Sequence, residues 1–137
     1  MSRTAEAILA SVKTALAKFH PFSVTVVGHS AGGAIALLDA VFLSAQPSVD
    51  VAINAITFGM PRVGNKAFAD LVDQRIGIVH INNKGDLVPT LPSLPFGYHH
   101  PSGEIHILDS GAWVSCSGTS IIYFSKKKKL TMDLLMI

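Results

Sequence analysis

The chain has 137 residues, of which 49% are hydrophobic and 15% are charged, and its formal net charge is +2. This length fits one domain with a moderate core, and the composition excludes a disordered chain. Four of the 11 basic residues are the lysines at 126–129, so the remainder lacks the basic surface of a nucleic-acid-binding protein. The single cysteine, Cys116, excludes an internal disulfide and a multi-cysteine metal site.

The sequence predicts neither a membrane-spanning segment nor a secretory signal. The longest apolar runs fall well below the length that crosses a bilayer. Residues 1–6, MSRTAE, are not followed by the long apolar core of a signal peptide. The residues alone predict a soluble cytosolic product, or a fragment whose targeting segment is missing.

The first half of the chain alternates predicted helices and strands. Helical spacing of apolar residues and runs rich in β-branched residues distinguish the two. In chain order the predictions are a helix over 4–19, a strand over 23–28, a helix over 31–46, a strand over 51–58, a short helix around 67–72 and a strand over 76–82. This order predicts an α/β fold with a largely parallel sheet and helices on both faces.

The second half has a different texture. Three prolines between residues 89 and 95 indicate an extended loop, and residues 104–108 predict one more strand. From Gly111 onward the residues follow neither a helical nor a strand pattern clearly.

Residues 28–32, GHSAG, carry the strongest chemical signal. They join a predicted strand to a predicted helix, which is the setting of the nucleophile elbow of α/β hydrolases. In that setting Ser30 is the nucleophile, and the Ala31 N–H, at the start of the helix, donates to the oxyanion. The second oxyanion donor would come from a loop after an earlier strand, and no such strand precedes residue 23.

Asp86 follows the third predicted strand and is the candidate acid of a catalytic triad. Parallel strands end at one rim of a sheet, so Ser30 and Asp86 are expected on the same rim. The alternative is that Asp86, beside Gly85, only stabilises a turn as an Asx residue.

No histidine is a convincing base for Ser30. The six histidines lie at positions 20, 29, 80, 99, 100 and 106. His29 adjoins Ser30 too closely to turn back onto it, and His20 and His80 are expected to be structural. His99, His100 and His106 follow the acid in the right order, with His99 and His100 the weak candidates that remain.

Three segments, GHSAGGA at 28–34, TFGMPRVGN at 57–65 and NNKGDLVPTLP at 82–92, resemble fungal class 3 lipases in residues, order and spacing. The resemblance covers residues 4–118. It implies a partial α/β-hydrolase fold and a secreted, cofactor-free enzyme that cleaves lipid esters, typically triacylglycerols, with no metal. It also implies that Ser30 is the nucleophile, Asp86 the acid and Ala31 an oxyanion donor.

The chain departs from the family at both ends. The family's early strands, second oxyanion donor and lid have no counterpart here, and its catalytic histidine lies beyond the segment SCSG at 115–118. We therefore interpret residues 4–118 as an incomplete lipase-like domain, truncated at its N-terminus, and 119–137 as a non-homologous tail. The lysine run is interpreted as a solvated flank, although attraction to a lipid–water interface is the functional alternative.

Three functions follow from these observations. The first is hydrolysis of lipid esters through an acyl-enzyme on Ser30. The second is an inactive lipase-like fragment that at most binds lipid or a partner, and the third is a minimal esterase that uses His99 or His100. Because no base is convincing, negligible turnover of a p-nitrophenyl ester is predicted.

Overall fold

A computed structural model describes residues 3–117 and 120–121 of the chain. Within this part, three helices pack on a six-stranded sheet. The helices are α1 (Arg3–Phe19), α2 (Ala31–Ser44) and α3 (Lys66–Arg75). The sheet strands, in spatial order, are β1 (Ser23–His29), β2 (Ala52–Phe58), β4 (Gly77–Asn83), β6 (Glu104–Ile107), β7 (Trp113–Ser117) and β8 (Ser120–Ile121).

The first four strands of this sheet are parallel, and β7 and β8 are antiparallel to their neighbours. The predicted, largely parallel α/β sheet is therefore confirmed. A separate antiparallel pair joins β3 (Gly64–Asn65) to β5 (Tyr98–His99). The sequence did not predict β3, β5 or β7. They are short, and β7 is formed by pairing with β6 rather than by an apolar pattern of its own.

The three described helices lie on one face of the sheet, whereas the sequence predicted helices on both. Consecutive strands β1, β2 and β4 are added in one direction, and right-handed crossovers then place α2 and α3 on the same side. Apolar residues of α1 pack against the same core. The buried core residues of this face are Leu37, Ala40, Leu43, Val49, Ile53, Ala55, Met60, Val72 and Ile76.

Predicted and observed boundaries differ most at α3, which covers residues 66–75 rather than 67–72. The Asn65 side chain accepts a hydrogen bond from the Phe68 N–H at 3.0 Å and so caps the helix N-terminus. The predicted tail, residues 119–137, lies outside the described residues apart from 120 and 121. Among the described helices, none is both long and apolar enough to span a bilayer.

Candidate active site

Ser30 lies between the end of β1 and the start of α2, with φ 53° and ψ −129°. These angles are unusual for a residue with a side chain and store backbone strain of about 1–3 kcal/mol. The Ser30 N–H donates to the Phe58 carbonyl at 2.8 Å, and the Ser30 carbonyl accepts from the Gly33 N–H at 2.9 Å. The bend is thus held by β2 on one side and by the first turn of α2 on the other.

Close approach of β1 and α2 depends on Gly28. A Cβ added there would lie 2.3 Å from the Gly32 carbonyl oxygen and 2.8 Å from the Gly33 Cα. At Gly32, by contrast, an added Cβ would have no heavy atom within 4 Å. Gly33 is tight, because its added Cβ would lie 3.2 Å from Met60 Cβ. Neighbouring atoms therefore leave no room for a side chain at Gly28 and little room at Gly33. At Gly32, the second glycine of the motif, a side chain would fit.

The Ala31 N–H is in the first turn of α2, where backbone amides have no partner within the helix. No acceptor within the described residues reaches it. An amide at a helix N-terminus, next to a serine hydroxyl, is chemically suited to stabilise an oxyanion.

Asp86 lies in the exposed turn that follows β4. Its Oδ1 accepts a hydrogen bond from the Val88 N–H at 3.0 Å, so Asp86 does form the predicted Asx-type contact. Its other oxygen, Oδ2, faces Gly59 at the end of β2, where an added Cβ would be only 2.8 Å away. The turn contact thus uses one carboxylate oxygen and leaves Oδ2 directed across the rim.

Gly59 opens the space beside Asp86. Its φ of +55° favours glycine, and its N–H donates to the Ile81 carbonyl at 2.8 Å. A Cβ added at Gly59 would also lie 4.0 Å from His29 Nε2. A cavity of about 590 Å³ opens here at the strand ends. Its walls are formed by His29, Phe58, Gly59, Ile81, Asn83, Lys84, Gly85, Asp86 and Ile107.

Ser30 and Asp86 lie on the same rim, as predicted, with the end of β2 between them. At the usual strand spacing, the axes of β1 and β4 are roughly 10 Å apart. A group that hydrogen-bonds to both side chains would therefore lie above Phe58 and Gly59. An imidazole ring has the size and the two opposed nitrogens for that position.

Neither weak base candidate occupies this position. The His100 ring stacks on His80, with ring centroids 4.9 Å apart, and its Nε2 lies 2.8 Å from the Pro89 carbonyl oxygen. His100 Nδ1 is buried without a partner among the described residues. Burial, reinforced by the neighbouring His80, lowers the pKa of His100 to about 4. His99 lies in β5 opposite Gly64, and neither histidine hydrogen-bonds to Ser30 or Asp86.

The remaining histidines have other surroundings. His80 is buried in β4, with Nε2 3.1 Å from the Pro101 carbonyl oxygen, and burial lowers its pKa. His106 Nδ1 lies 3.3 Å from Glu104 Oε1. Burial alone would raise the pKa of Glu104, but the hydrogen bonds that its carboxylate accepts outweigh this effect and lower that pKa. His29 lines the cavity beside Asp86, and His20 follows α1. Of these four, none hydrogen-bonds to the Ser30 hydroxyl within the described part of the chain.

Sequence reasoning did not identify Gly59 or Arg62 as residues that shape the site. Both lie in the segment TFGMPRVGN, to which the sequence assigned a family resemblance and no catalytic role. The available signal was the placement of a glycine directly after a strand that ends at the same rim as Ser30. Among the described residues, no group of three or more His, Cys, Asp or Glu side chains is placed to hold a metal ion.

Comparison with protein families finds a match over residues 1–96 to the family described as lipase (class 3). A secreted mono- and diacylglycerol lipase of Malassezia globosa is 44% identical over 98 residues. That match covers 65% of this chain and 30% of the relative.

Two solved structures share the fold. The native Rhizomucor miehei lipase propeptide complex is 34% identical, with a TM-score of 0.71, over 85% of this chain and 39% of that one. A triacylglycerol lipase whose catalytic centre is formed by a serine protease triad is 37% identical, with a TM-score of 0.69. The match covers 76% of this chain and 40% of the lipase chain. This chain thus spans less than half the length of each of these relatives.

Proposed function

Because the chain belongs to the class 3 lipase family, we propose that it hydrolyses carboxylic esters of lipids, with Ser30 as the nucleophile. Its partial α/β-hydrolase fold is shared with a triacylglycerol lipase whose catalytic centre is formed by a serine protease triad. The observation that carries the proposal is the strained Ser30 beside a free first-turn amide, on the same rim as Asp86.

The reaction would proceed in two halves. Ser30 Oγ attacks the ester carbonyl carbon, the carbonyl oxygen becomes an oxyanion near the Ala31 N–H, and the alcohol leaves with a proton. Water then attacks the acyl-enzyme, the fatty acid is released and Ser30 recovers its proton. Asp86 Oδ2 would orient the imidazole that carries the proton between these steps. We assign that imidazole to none of the six histidines of the 137-residue chain, all of which lie in the described residues, so labelling of Ser30 by a fluorophosphonate in this chain should be slow.

The side chains beyond Asp86 support a lipid ester as the substrate class. Four large apolar side chains between residues 87 and 96 are more than half exposed. They are Leu87, Leu91, Leu94 and Phe96. An exposed apolar surface beside an ester-cleaving rim is suited to acyl chains and to a lipid–water interface. The Malassezia globosa relative is named as a secreted mono- and diacylglycerol lipase, and we propose glycerol esters and an extracellular location for this protein as well.

Labelling with a fluorophosphonate probe tests the proposal, because the probe reacts with activated serines and requires only one chemical step. We expect mass spectrometry to find the label on Ser30 and to find none in Ser30→Ala. Asp86→Asn tests the acid role: slower labelling would place Asp86 among the groups that activate Ser30, and an unchanged rate would count against that role. His99→Ala, as a matched histidine variant, should leave the labelling rate within a few-fold.

A non-catalytic lipid-binding role is the second candidate. It is favoured by one observation: among the described residues, no histidine side chain hydrogen-bonds to Ser30. If the folded chain binds vesicles but Ser30 stays unlabelled, lipid binding replaces hydrolysis as the proposed function. Labelling that disappears in His99→Ala, or in both His100→Ala and His100→Gln, would instead support the minimal esterase.

A further inference from the structure

Residues 87–92, here called the acid segment, directly follow Asp86. Their conformation depends on hydrogen bonds from elsewhere in the molecule. Pro89 and Pro92 have no N–H, so this segment cannot form a regular backbone ladder. Residues 88–90 form a single 3₁₀ turn, in which the Thr90 N–H donates to the Leu87 carbonyl at 3.0 Å. Four consecutive carbonyls, at residues 89–92, each accept a hydrogen bond from outside the segment.

Two residues supply all four of these hydrogen bonds. Arg62 donates its backbone N–H to the Leu91 carbonyl at 2.8 Å. Its Nη1 donates to the Pro92 carbonyl at 2.8 Å and also to the Thr90 carbonyl. His100 Nε2 lies 2.8 Å from the Pro89 carbonyl oxygen, so that nitrogen carries the proton and donates.

The His100 ring is itself fixed in place, and Arg62 lies close to the glycine that faces Asp86. The His100 ring stacks on His80 with an interplanar angle of 17°, and His80 is only 1% exposed. His80 is held in turn by the Pro101 carbonyl. Arg62 lies in the segment between β2 and α3, only a few residues from Gly59, which faces Asp86 Oδ2.

We propose that Arg62 and His100 are positioning residues that hold the acid segment and thereby direct Asp86 Oδ2 across the catalytic rim. This inference rests on the proposed function, in which Asp86 is the acid of the triad. The path from the acid segment to Asp86 is short. Asp86 Oδ1 accepts the Val88 N–H at 3.0 Å, and the next residue, Pro89, carries the first of the four carbonyls that accept hydrogen bonds from outside the segment.

Hydrogen exchange of the 137-residue chain, followed by NMR, tests the proposal at three amides. The Val88 N–H reports the contact with Asp86, and the Thr90 and Leu91 N–H groups report the 3₁₀ turn. We expect His100→Leu and Arg62→Leu to accelerate exchange at these amides at least tenfold more than at the core amide of Ala55. The Val88 amide proton resonance should shift as its bond to the carboxylate weakens.

Rescue and control variants separate positioning from a general loss of stability. His100→Gln keeps an N–H donor near the position of Nε2 and should restore most of the protection, which a role in packing alone would not require. Ala40→Gly weakens buried helix α2 without touching the segment and should change all stable amides in proportion. If His100→Leu does not fold, Arg62→Leu carries the test, because Arg62 is only half-buried.

Unchanged exchange at Val88, Thr90 and Leu91 relative to Ala55, in each folded Leu variant, would overturn the proposal. So would failure of His100→Gln to restore protection that His100→Leu removes. The measurement uses no substrate, so absence of fluorophosphonate labelling at Ser30 bears on the proposed function alone.

Discussion

At the scale of single residues, the elbow motif contains glycines of unequal importance. Gly28 faces the backbone of α2 at a distance that no side chain tolerates, whereas Gly32 faces open space. The motif shows two glycines around Ser30 and cannot distinguish them, because the difference arises only when strand and helix are packed. Gly33, outside the five-residue motif, lies against Met60 and is also constrained.

Alanine substitutions at the two motif glycines should therefore have opposite effects. Gly28→Ala is expected to lower the free energy of unfolding by about 2 kcal/mol or more, because backbone atoms must move apart. Gly32→Ala should leave it unchanged or raise it by up to about 1 kcal/mol, because alanine favours a helix over glycine. Urea unfolding of both variants measures the difference. Equal losses would show that both positions are packed.

At the scale of elements, a polar layer joins β4 to the loops around the site. His80 in β4 stacks on His100, which follows β5, and both rings donate to carbonyls of proline residues. Burial lowers the pKa of both histidines, to about 4 for His100. These side chains therefore stabilise the fold as neutral rings, although the sequence placed His100 among the candidate bases.

This arrangement predicts that stability falls with acidification. In the unfolded chain a histidine binds a proton near pH 6.5, whereas folded His100 resists it until about pH 4, so the unfolded state gains protons first. Stability should be full above pH 6.5 and should fall by roughly 2 kcal/mol between pH 7 and pH 5 from His100 alone. Urea unfolding at a series of pH values measures this.

His100→Gln is the matched control for the pH experiment, because glutamine does not titrate. Its free energy of unfolding should depend less steeply on pH over the same range. An identical slope in both proteins would assign the pH dependence to other groups.

At the scale of the whole molecule, the described sheet has an open edge and an open face. β1 pairs only with β2, and its outward Val27 is 61% exposed. Phe58, on the same face of the sheet, is also exposed. Within residues 3–117, neither proline nor lysine protects this edge, and unprotected edge strands pair with other chains.

We expect the 137-residue chain to self-associate through this edge. Val27→Lys places a charge on both the edge and the open face, and should weaken association at least tenfold. Ser11→Lys adds the same charge on exposed helix α1 and should have little effect. Sedimentation velocity over a concentration series measures both. A wild-type chain that stays monomeric at every concentration would contradict the expectation.

The sequence by itself determined the elements that carry a periodic apolar pattern and the motif that names the family. The main helices and parallel strands follow from local spacing, and the shared rim of Ser30 and Asp86 follows from the geometry of parallel strands. The family follows from the resemblance of three segments to class 3 lipases. The elements without a pattern of their own are different. The short strands β3, β5 and β7 do not follow from local spacing, because they form only by pairing with distant segments.

Only the tertiary structure decided which side chains surround the rim and what each one does. His100 was a candidate base in the sequence and is a buried donor to Pro89 in the fold, because stacking and desolvation depend on residues far apart along the chain. Arg62 and Gly59 had no chemical signal of their own. Their positions beside the acid segment and Asp86 arise because β2 and β4 are parallel neighbours that end at the same rim, although the two strands are separated along the chain.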